Sequence, residues 1–512
     1  MKSRVVMASF VALAASAGVV IACGDNDAGT VTAPAPGPGT PGVDAASVPD
    51  AGGPDATTDA PGDGQTAAAA IIPQTTTRIP NSINPYGLVF ASDGFAYASG
   101  ATIDDAADRK LAVWRFKDGV LDTTFGAAGV VTVGIDGSES SFDIVEVSAG
   151  NFVVQAVTGG ASGKVYLVKL TKDGGGAFAF GTPVVVPFDW ADGDFTGWPG
   201  AAPPVYNNSW SIGLDKSTPA SPKIVVFAFG APARVAGGGT QRTDNDRWIA
   251  RVLADTLAPD PAFNGGRAFT ADGDGKGLPD NARRGIVLAD GSIVSAGYNN
   301  YGDGLGNHVV LIRLKPDGTV DPAFGFGTTA PGVAGQTKFN PFLTTGGFAE
   351  AYGVGRQSTG RYVTTGYGTS NFDSPSLGLD LVSFGVKADG LDATYGRLGS
   401  FAWQSEKDKA AGLGAVPHTE RGRDMVVLAD DRTVHVGVYD DFGALFVTDK
   451  NGKPDPSTGV NGLIEYNYPA GFFKVAVSRD GKQIAMTAQS LNQTTDAGAP
   501  LGSVLATLKV GQ

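Results

Sequence analysis

Few side chains in this sequence are spaced for catalysis or for metal binding. The three histidines, His308, His418 and His435, stand far apart, and no His-x-x-His, Glu-x-x-His or cysteine cluster accompanies them. Zinc and copper sites need several such ligands at short spacing. The segment Asp272–Gly277 begins like a calcium loop but lacks the third ligand and the distal glutamate, so we interpret it as a surface turn. The sequence therefore predicts no metal, no cofactor and no catalytic residue.

A second group of residues is suited to binding a ligand rather than transforming it. Five aromatic side chains fall within one short stretch: Trp190, Phe195, Trp198, Tyr206 and Trp210. Exposed Trp and Tyr side chains stack on sugar rings or anchor a protein partner, so this stretch is a candidate binding surface. The alternative is that the aromatics fold their loop back onto the body or cover a central channel. The sequence leaves both interpretations open.

The chain also repeats one short stretch, which reads Val320–Gly325 in its clearest copy. Each copy places an aromatic residue three positions after an Asp. The four best copies are Asp122 with Phe125, Asp260 with Phe263, Asp321 with Phe324, and Asp392 with Tyr395. We expect the Asp to accept backbone N–H groups of its own turn and the aromatic ring to fill the seam between neighbouring units. One isolated carboxylate per unit is a poor calcium site, so these residues are interpreted as structural.

The elements that must position these residues are β-strands. With a worn copy at Phe180 included, the aromatic positions of the repeat are separated by 55, 83, 61 and 71 residues. Each unit contains a hairpin around a Gly or Asp turn, an alternating strand, and a further strand after the repeated stretch. A unit of four strands can be counted seven times along the chain, and such a period is typical of a repeat architecture.

The predicted fold is therefore all-β, a single β-propeller with seven blades, six or eight being the counting error. The seventh unit lacks its last strand, and the apolar run Ala68–Ile72 is expected to supply it beside the strand Ser503–Lys509. Closure of this kind removes an unpaired sheet edge. The alternative is an open β-solenoid, although solenoid repeats are usually shorter than these units.

The repeated stretch resembles the delta-60 repeat family, whose units carry Leu-Asp-x-x-Phe-Gly after an Asp-Gly turn. The closest copies are Lys117–Gly126 and Lys315–Phe324, and the similarity extends from about Ser82 to the end of the chain. The resemblance implies a propeller-like bacterial protein. It implies no general activity, so it bears on the fold and leaves the function open.

The N-terminus predicts export and a lipid anchor. Lys2 and Arg4 precede an apolar segment, Val5–Ile21, which runs into the single cysteine of the chain, Cys23. The segment is typical of a secretory signal and short for a stable spanning helix. Its end resembles a bacterial lipobox, in which the cysteine is lipidated and becomes the first mature residue. The alternative is an ordinary signal peptide with an incidental cysteine.

The domain organisation and location follow from this anchor. Residues 1–22 are predicted as a lipoprotein signal peptide, residues 23–66 as a disordered tether rich in Ala, Gly, Pro, Asp and Thr, and residues 67–512 as the propeller. Gly24, rather than Asp, follows the cysteine, and by resemblance this favours the outer membrane or cell surface over the inner membrane.

Charge and fold together leave two functional hypotheses. The formal net charge of −13 argues against nucleic acid, whose binding proteins need a basic surface. The first hypothesis is a non-enzymatic scaffold, anchored to the membrane by lipid, that binds a protein or polysaccharide partner. The alternative is a propeller hydrolase or oxidoreductase with its site at the central channel. Acidic or histidine side chains from three or more blades meeting in the channel would favour the enzyme, whereas a lining of Gly, Ser and apolar residues would favour the scaffold.

Overall fold

The structure is a computed structural model, and it describes residues 70–102, 109–135, 139–158, 164–186, 207–230, 246–271, 280–301, 307–325, 335–339, 349–369, 379–403, 420–440, 442–466, 471–488 and 503–511. The chain divides into two units, residues 1–66 and 67–512, and all described residues belong to the second. No membrane-spanning helix is found among the described residues. The predicted signal peptide, Cys23 and the predicted tether lie outside them.

The described strands form antiparallel groups in which an inner, a second, a third and an outer strand follow one another. The inner strands are Ser82–Phe90, Glu139–Ser148, Asn207–Asp215, Asp280–Val287, Ala349–Arg356, Arg421–Val427 and Phe472–Val477. The second strands are Ala96–Thr102, Asn151–Thr158, Lys223–Gly230, Ile293–Asn300, Tyr362–Gly368, Thr433–Tyr439 and Gln483–Ala488. Their hairpin turns fall where the sequence predicts Gly or Asp turns, as at Gly94 and Gly291, both of which have positive φ.

The third and outer strands complete each group. The third strands are Leu111–Lys117, Val165–Lys172, Asp246–Leu253, Asn307–Leu314, Asp380–Lys387, Phe442–Thr448 and Val504–Val510. The outer strands are Val130–Val133, Val184–Val185, Phe269–Ala271, Gln336–Phe339, Ser400–Trp403, Leu463–Glu465 and Ile71–Arg78. Shorter pieces are the strands Val120–Leu121, Phe178–Phe180 and Gly390–Leu391 and a 3₁₀ helix at Asn264–Gly266.

The inner strands form a closed circle. Each inner strand contacts the inner strand of the next group, and that of the last group contacts that of the first. One parallel pair, Pro85 with Ser141, joins the first two groups into a single sheet, while the other groups remain separate sheets. A circular arrangement of radial antiparallel sheets is a β-propeller, so the predicted fold class is confirmed. Each group is called a blade below, numbered from one at Ser82–Phe90 to seven at Phe472–Val477.

Blade seven is completed by the N-terminal strand. Ile71–Arg78 pairs antiparallel with Val504–Val510, and Ile72 lies opposite Lys509. The predicted segment ends at Ile72, but the strand starts at Ile71 and continues through mostly polar residues to Arg78. An outer strand faces solvent along one side, so β-branched polar residues fit it well. Thr75 accordingly makes a hydroxyl contact of 2.7 Å with Thr507.

Candidate functional site

Every inner strand carries an irregularity close to its middle. The pairing with the second strand shifts register between Ile83 and Gly87, Ser140 and Asp143, Ser209 and Ser211, Ala282 and Gly285, Ala351 and Gly353, Gly422 and Asp424, and Phe472 and Lys474. Such a β-bulge inserts a residue and re-aims the neighbouring side chains. Because the inner strands surround the axis, these bulges decide what fills the central channel.

The bulge residues contact one another around the axis, and we call this set the channel ring. It comprises Tyr86, Phe142, Trp210, Arg283, Tyr352, Arg423 and Phe473. Tyr86 lies between Phe473 and Phe142, with ring centroids 4.4 and 5.2 Å away, and Phe142 lies 5.2 Å from Trp210. No member of the ring is more than 6% exposed. Five aromatic side chains and two arginines therefore form a continuous layer across the channel.

The two arginines of the channel ring are held by aromatic faces. The Arg283 guanidinium lies 4.9 Å from the ring centroid of Trp210 and 4.5 Å from that of Tyr352. The Arg423 guanidinium lies 5.0 Å from Tyr352 and 5.1 Å from Phe473. These contacts are favourable cation–π interactions in a desolvated setting. Burial raises the pKa of the Tyr352 hydroxyl, which stays neutral beside both arginines.

The position after the bulge supplies a second layer, which we call the charge quartet: Asp143, Arg284, Asp424 and Lys474. Lys474 Nζ lies 3.0 Å from Asp143 Oδ1 and 3.7 Å from Asp424 Oδ2. Arg284 Nε lies 3.2 Å from Asp424 Oδ1, and its Nη1 lies 3.9 Å from Asp143 Oδ2. The four charges thus alternate in sign around the axis and sum to zero. The other three blades place the small residues Gly87, Ser211 and Gly353 at this level, which leaves room for the long side chains.

Backbone groups also bond to three members of the charge quartet. Asp143 accepts from the Ile212 N–H at 3.2 Å, and Asp424 accepts from the Val475 N–H at 3.1 Å. Arg284 donates through Nη2 to the Phe473 carbonyl at 2.9 Å. Buried ion pairs are tolerated when the remaining hydrogen-bonding capacity is satisfied in this way. Both carboxylates are therefore engaged by cations and by backbone N–H groups.

Two residues beyond the charge quartet, the inner strands become apolar. We call this level the apolar collar; its residues are Val89, Val145, Gly213, Ile286, Gly355, Val426 and Ala476. All seven are half-buried. Val89, Ile286, Val426 and Ala476 pack against hydrophobic clusters formed between neighbouring blades.

The carboxylates of the charge quartet come from blades two and six. Among the described residues there is also no group of three or more His, Cys, Asp or Glu side chains that could hold a metal ion. His435 is fully buried, its Nε2 lies 3.3 Å from Thr448 Oγ1, and burial lowers its pKa to about 3. His308 is buried in the third strand of blade four, and His418 lies outside the described residues.

The candidate aromatic surface is corrected at one position. Trp210 is not exposed; it is a member of the channel ring, and its ring centroid also lies 5.5 Å from Tyr352. This placement matches the alternative interpretation, in which an aromatic side chain covers the channel. The physical reason is the bulge at Trp210, which turns the indole towards the axis. The other four residues of that prediction, Trp190, Phe195, Trp198 and Tyr206, lie outside the described residues.

The repeated Asp residues lie in turns between the third strand and the strand that follows. One carboxylate oxygen accepts the backbone N–H two residues later, at 3.0 Å for Asp122 and Asp260 and 3.1 Å for Asp321 and Asp392. The other oxygen faces an arginine, in the pairs Asp122 with Arg115, Asp260 with Arg251, Asp321 with Arg313, and Asp392 with Arg361. The arginine partners were not predicted, because Arg361 precedes a second strand whereas the other three lie on third strands.

The repeated aromatics lie in the seams between blades. Phe125, Phe263, Phe324 and Tyr395 are each at most 1% exposed. Phe324, for example, packs with side chains of blades four and five, and Phe125 with side chains of blades one and two. Burial would raise the pKa of Asp392, but hydrogen bonds from Thr394, Arg361 and Lys387 outweigh this and hold it well below its usual range. These contacts are local to the turns and seams, away from the channel.

Comparison with known proteins supports the fold. A family model described as a domain of unknown function (DUF5122) beta-propeller matches residues 288–324, which span the second strand, third strand and repeated turn of blade four. The match covers a small part of the chain and carries no activity with it. No curated protein matches the chain at a significant level.

Solved structures with similar strand arrangements include several enzymes. An alpha-L-arabinanase from Penicillium chrysogenum is 12% identical, with a TM-score of 0.35, and the alignment covers 87% of this chain and 98% of that one. The polysaccharide lyase Uly1 is 8% identical, with a TM-score of 0.40, over 86% of this chain and 100% of that one. Prolyl oligopeptidase B from Galerina marginata is 12% identical, with a TM-score of 0.40, over 83% of this chain and 49% of that one. Likeness at this level carries no argument about activity.

Proposed function

We propose that this protein is a lipid-anchored propeller of the cell envelope that acts as a non-enzymatic binding scaffold. The observation that carries the proposal is the channel itself. The channel ring and the charge quartet fill it with side chains that contact one another. The carboxylates of Asp143 and Asp424 are therefore already paired with Arg284 and Lys474. Filling an axis with mutually paired groups rigidifies the blades, and rigid blades present their faces as fixed surfaces.

The repeat and the N-terminus support the rest of the proposal. The recurring turn at Asp122, Asp260, Asp321 and Asp392 supports a delta-60 type of propeller, and the apolar segment that runs into Cys23 supports lipidation. A lipoprotein anchor carries several acyl chains, which hold a protein at a membrane far more firmly than one chain does. The long Pro- and Gly-rich segment of residues 23–66 would then let the propeller reach beyond the membrane surface.

The anchor is tested by changing its cysteine. In Cys23→Ser the thioether cannot form, so the protein is expected to leave the membrane fraction and to lose incorporation of a radiolabelled or alkyne-tagged fatty acid. The natural protein serves as the matched control under the same detergent-free fractionation. Retention of Cys23→Ser in the membrane fraction would contradict the lipid anchor.

The scaffold is tested by separating binding from turnover. The purified protein is incubated with cell-envelope polysaccharides and with envelope proteins, and both retention and product formation are measured. Retention without new reducing ends, new amino termini or redox change is the expected result. Turnover that disappears in Asp143→Asn or Asp424→Asn, with the fold retained by circular dichroism, would contradict the scaffold and favour an enzyme acting at the channel.

A further inference from the structure

The charge quartet contains one side chain that can act as a nucleophile. An amine attacks a carboxyl carbon once it has lost a proton, whereas a guanidinium group stays protonated. Lys474 Nζ lies 3.0 Å from Asp143 Oδ1, and the Asp143 carboxyl carbon is one bond beyond that oxygen. Groups held at about 3–3.5 Å react far faster than groups that must first find each other. The pair is therefore placed for a reaction as well as for a salt bridge.

Water is largely excluded from this pair. The Asp143 and Lys474 side chains are 5% and 13% exposed, and the residues that directly precede them, Phe142 and Phe473, belong to the buried channel ring. Blade one has Gly87 at this level, where a Cβ would lie 3.0 Å from the backbone of Asp143, so the missing side chain permits the close approach. In a desolvated site an ion pair can transfer its proton and become a neutral amine and a neutral acid, which are the reactive forms.

The surroundings of the Asp143 carboxyl group suit the formation of an amide. Its Oδ2 accepts the Ile212 N–H at 3.2 Å and lies 3.9 Å from Arg284 Nη1, so negative charge that develops on this oxygen is stabilised. Asp424 Oδ2 lies 3.7 Å from Lys474 Nζ and can take a proton from the nitrogen. When Lys474 and Asp143 become neutral, Arg284 and Asp424 remain as an ion pair at 3.2 Å, so no charge of the quartet is left unbalanced.

We infer that Lys474 and Asp143 condense to a side-chain amide, an isopeptide bond that joins blade seven to blade two. The ammonium group passes a proton to Asp143 Oδ1, and the neutral amine attacks the carboxyl carbon, which moves negative charge to Oδ2. Asp424 then takes a second proton from the nitrogen and gives it to Oδ1, which leaves as water. One C–N bond forms and one C–O bond breaks, and no oxidant or reductant is needed. Blade seven, completed at its outer edge by Ile71–Arg78, is thereby also fixed at the axis.

A second lysine–aspartate pair shows which features the inference depends on. Lys387 Nζ lies 3.1 Å from Asp392 Oδ1, which is almost the same separation, but the Lys387 side chain is 52% exposed. In the part of the chain that the structure describes, Asp392 is the one carboxylate paired with Lys387, so a second carboxylate that could carry a proton is missing. We expect no bond between these two residues, and they serve as an internal control.

The test is peptide mapping of the full natural protein, which is denatured, digested with trypsin and analysed by tandem mass spectrometry. The peptide that carries Asp143 is expected to be joined to the one that carries Lys474, at their summed mass less one water, and trypsin should not cleave after Lys474. Lys387 and Asp392 are expected in separate peptides. Recovery of Asp143 and Lys474 in separate peptides would overturn the inference, and so would equal yields of joined peptide at the two pairs.

Two variants distinguish the bond from the salt bridge. Lys474→Arg keeps the positive charge but offers no reactive amine, so the joined peptide should be absent while circular dichroism shows a retained fold. Asp424→Asn keeps the shape of the side chain and removes the proton carrier. After cell-free synthesis its joined fraction is expected to rise about 100-fold more slowly than that of the natural protein. A joined peptide in Lys474→Arg would overturn the inference, and equal rates would overturn the role of Asp424.

The inference is independent of the proposed scaffold function. Separate peptides would remove the bond and leave the scaffold unaffected, because the scaffold is judged by retention of a partner without turnover. Turnover that depends on the channel carboxylates would contradict the scaffold, whereas the mass of the joined peptide would still decide the bond.

Discussion

The repeated turns and the central channel are built on opposite principles. At the turns, blade after blade uses the same residues, an Asp that accepts from its own backbone and an aromatic that fills the next seam. At the bulge, each blade occupies an equivalent position, yet the residues are Tyr, Phe, Trp, Arg, Tyr, Arg and Phe. Positions that repeat serve a need that every blade has. Positions that differ must fit one another across the axis, so they specify a single assembly.

The charge quartet sharpens this contrast. Each turn Asp is paired within its own blade, as Asp321 is with Arg313. The quartet instead draws its members from blades two, four, six and seven. At the turn, water can replace the partner of a charged group, since the Arg313 side chain is 24% exposed. Water is less available to a charge at the axis, because the channel ring encloses that charge on one side.

The largest expected effect comes from breaking the quartet. Arg284→Met leaves Asp143 and Asp424 with Lys474 as their shared cation, and uncompensated buried charge costs about 3–5 kcal/mol. The matched change at a turn, Arg313→Met, removes a partly exposed partner and is expected to cost less than about 1 kcal/mol. Urea unfolding of both variants measures the difference. Similar losses in the two variants would show that the axis and the turns are not built differently.

A smaller loss of stability is expected when the aromatic residue of the repeat is introduced into blade six, which lacks it. Blade six carries Thr458 in place of the aromatic, and this residue is 0% exposed and bonds to Asp455 at 2.9 Å. The seam there is already filled, so Thr458→Phe is expected to overpack it and to cost about 1–3 kcal/mol. Thr458→Val, which keeps the volume, is the control for the lost hydroxyl. A more stable Thr458→Phe, measured by thermal unfolding, would mean that the seams are interchangeable.

The smallest effect concerns the buried histidine of blade six. Burial lowers the pKa of His435 to about 3, whereas in the unfolded chain it is about 6.5. The unfolded state therefore binds a proton at His435 that the folded state does not bind, and the free energy of unfolding decreases as the pH falls below 6.5. The loss reaches about 1.4 kcal/mol at pH 5.5. His435→Gln should lack this loss when urea midpoints are compared between pH 7.5 and 5.5. An unchanged pH dependence would assign the effect to other groups.

The sequence predicts the features that recur from blade to blade, and it does not predict the features that differ between blades. Local signals predict the strand order, the hairpin turns at Gly94 and Gly291, and the closing segment near Ile72. These signals are the alternation of apolar and polar residues along strands, glycine at the turns, and the repeated turn sequence. The sequence predicts only the beginning of the closing strand, because the polar half of that strand carries no apolar pattern. The sequence leaves open whether Trp210 faces solvent or covers the channel, because an aromatic residue in a long interval between repeats is compatible with either position.

The channel could not be predicted from one sequence. Asp143, Arg284, Asp424 and Lys474 are separated by more than a hundred residues in two of their intervals, and they meet because bulges re-aim the inner strands. No local motif marks a bulge at Ser141 or Arg283. Equivalent positions would have emerged only from aligning the blades with one another, and the residues at those positions are dissimilar.

Hydroxyl-radical footprinting of the native protein tests the filled channel most directly, because aromatic side chains react in proportion to their contact with solvent. We predict that Phe142, Trp210 and Phe473 are protected from oxidation in the natural protein and become reactive in urea. Protection should persist in Val145→Phe, which leaves the channel ring intact. Oxidation of Trp210 in the native protein at the rate seen in urea would contradict a channel closed by these side chains.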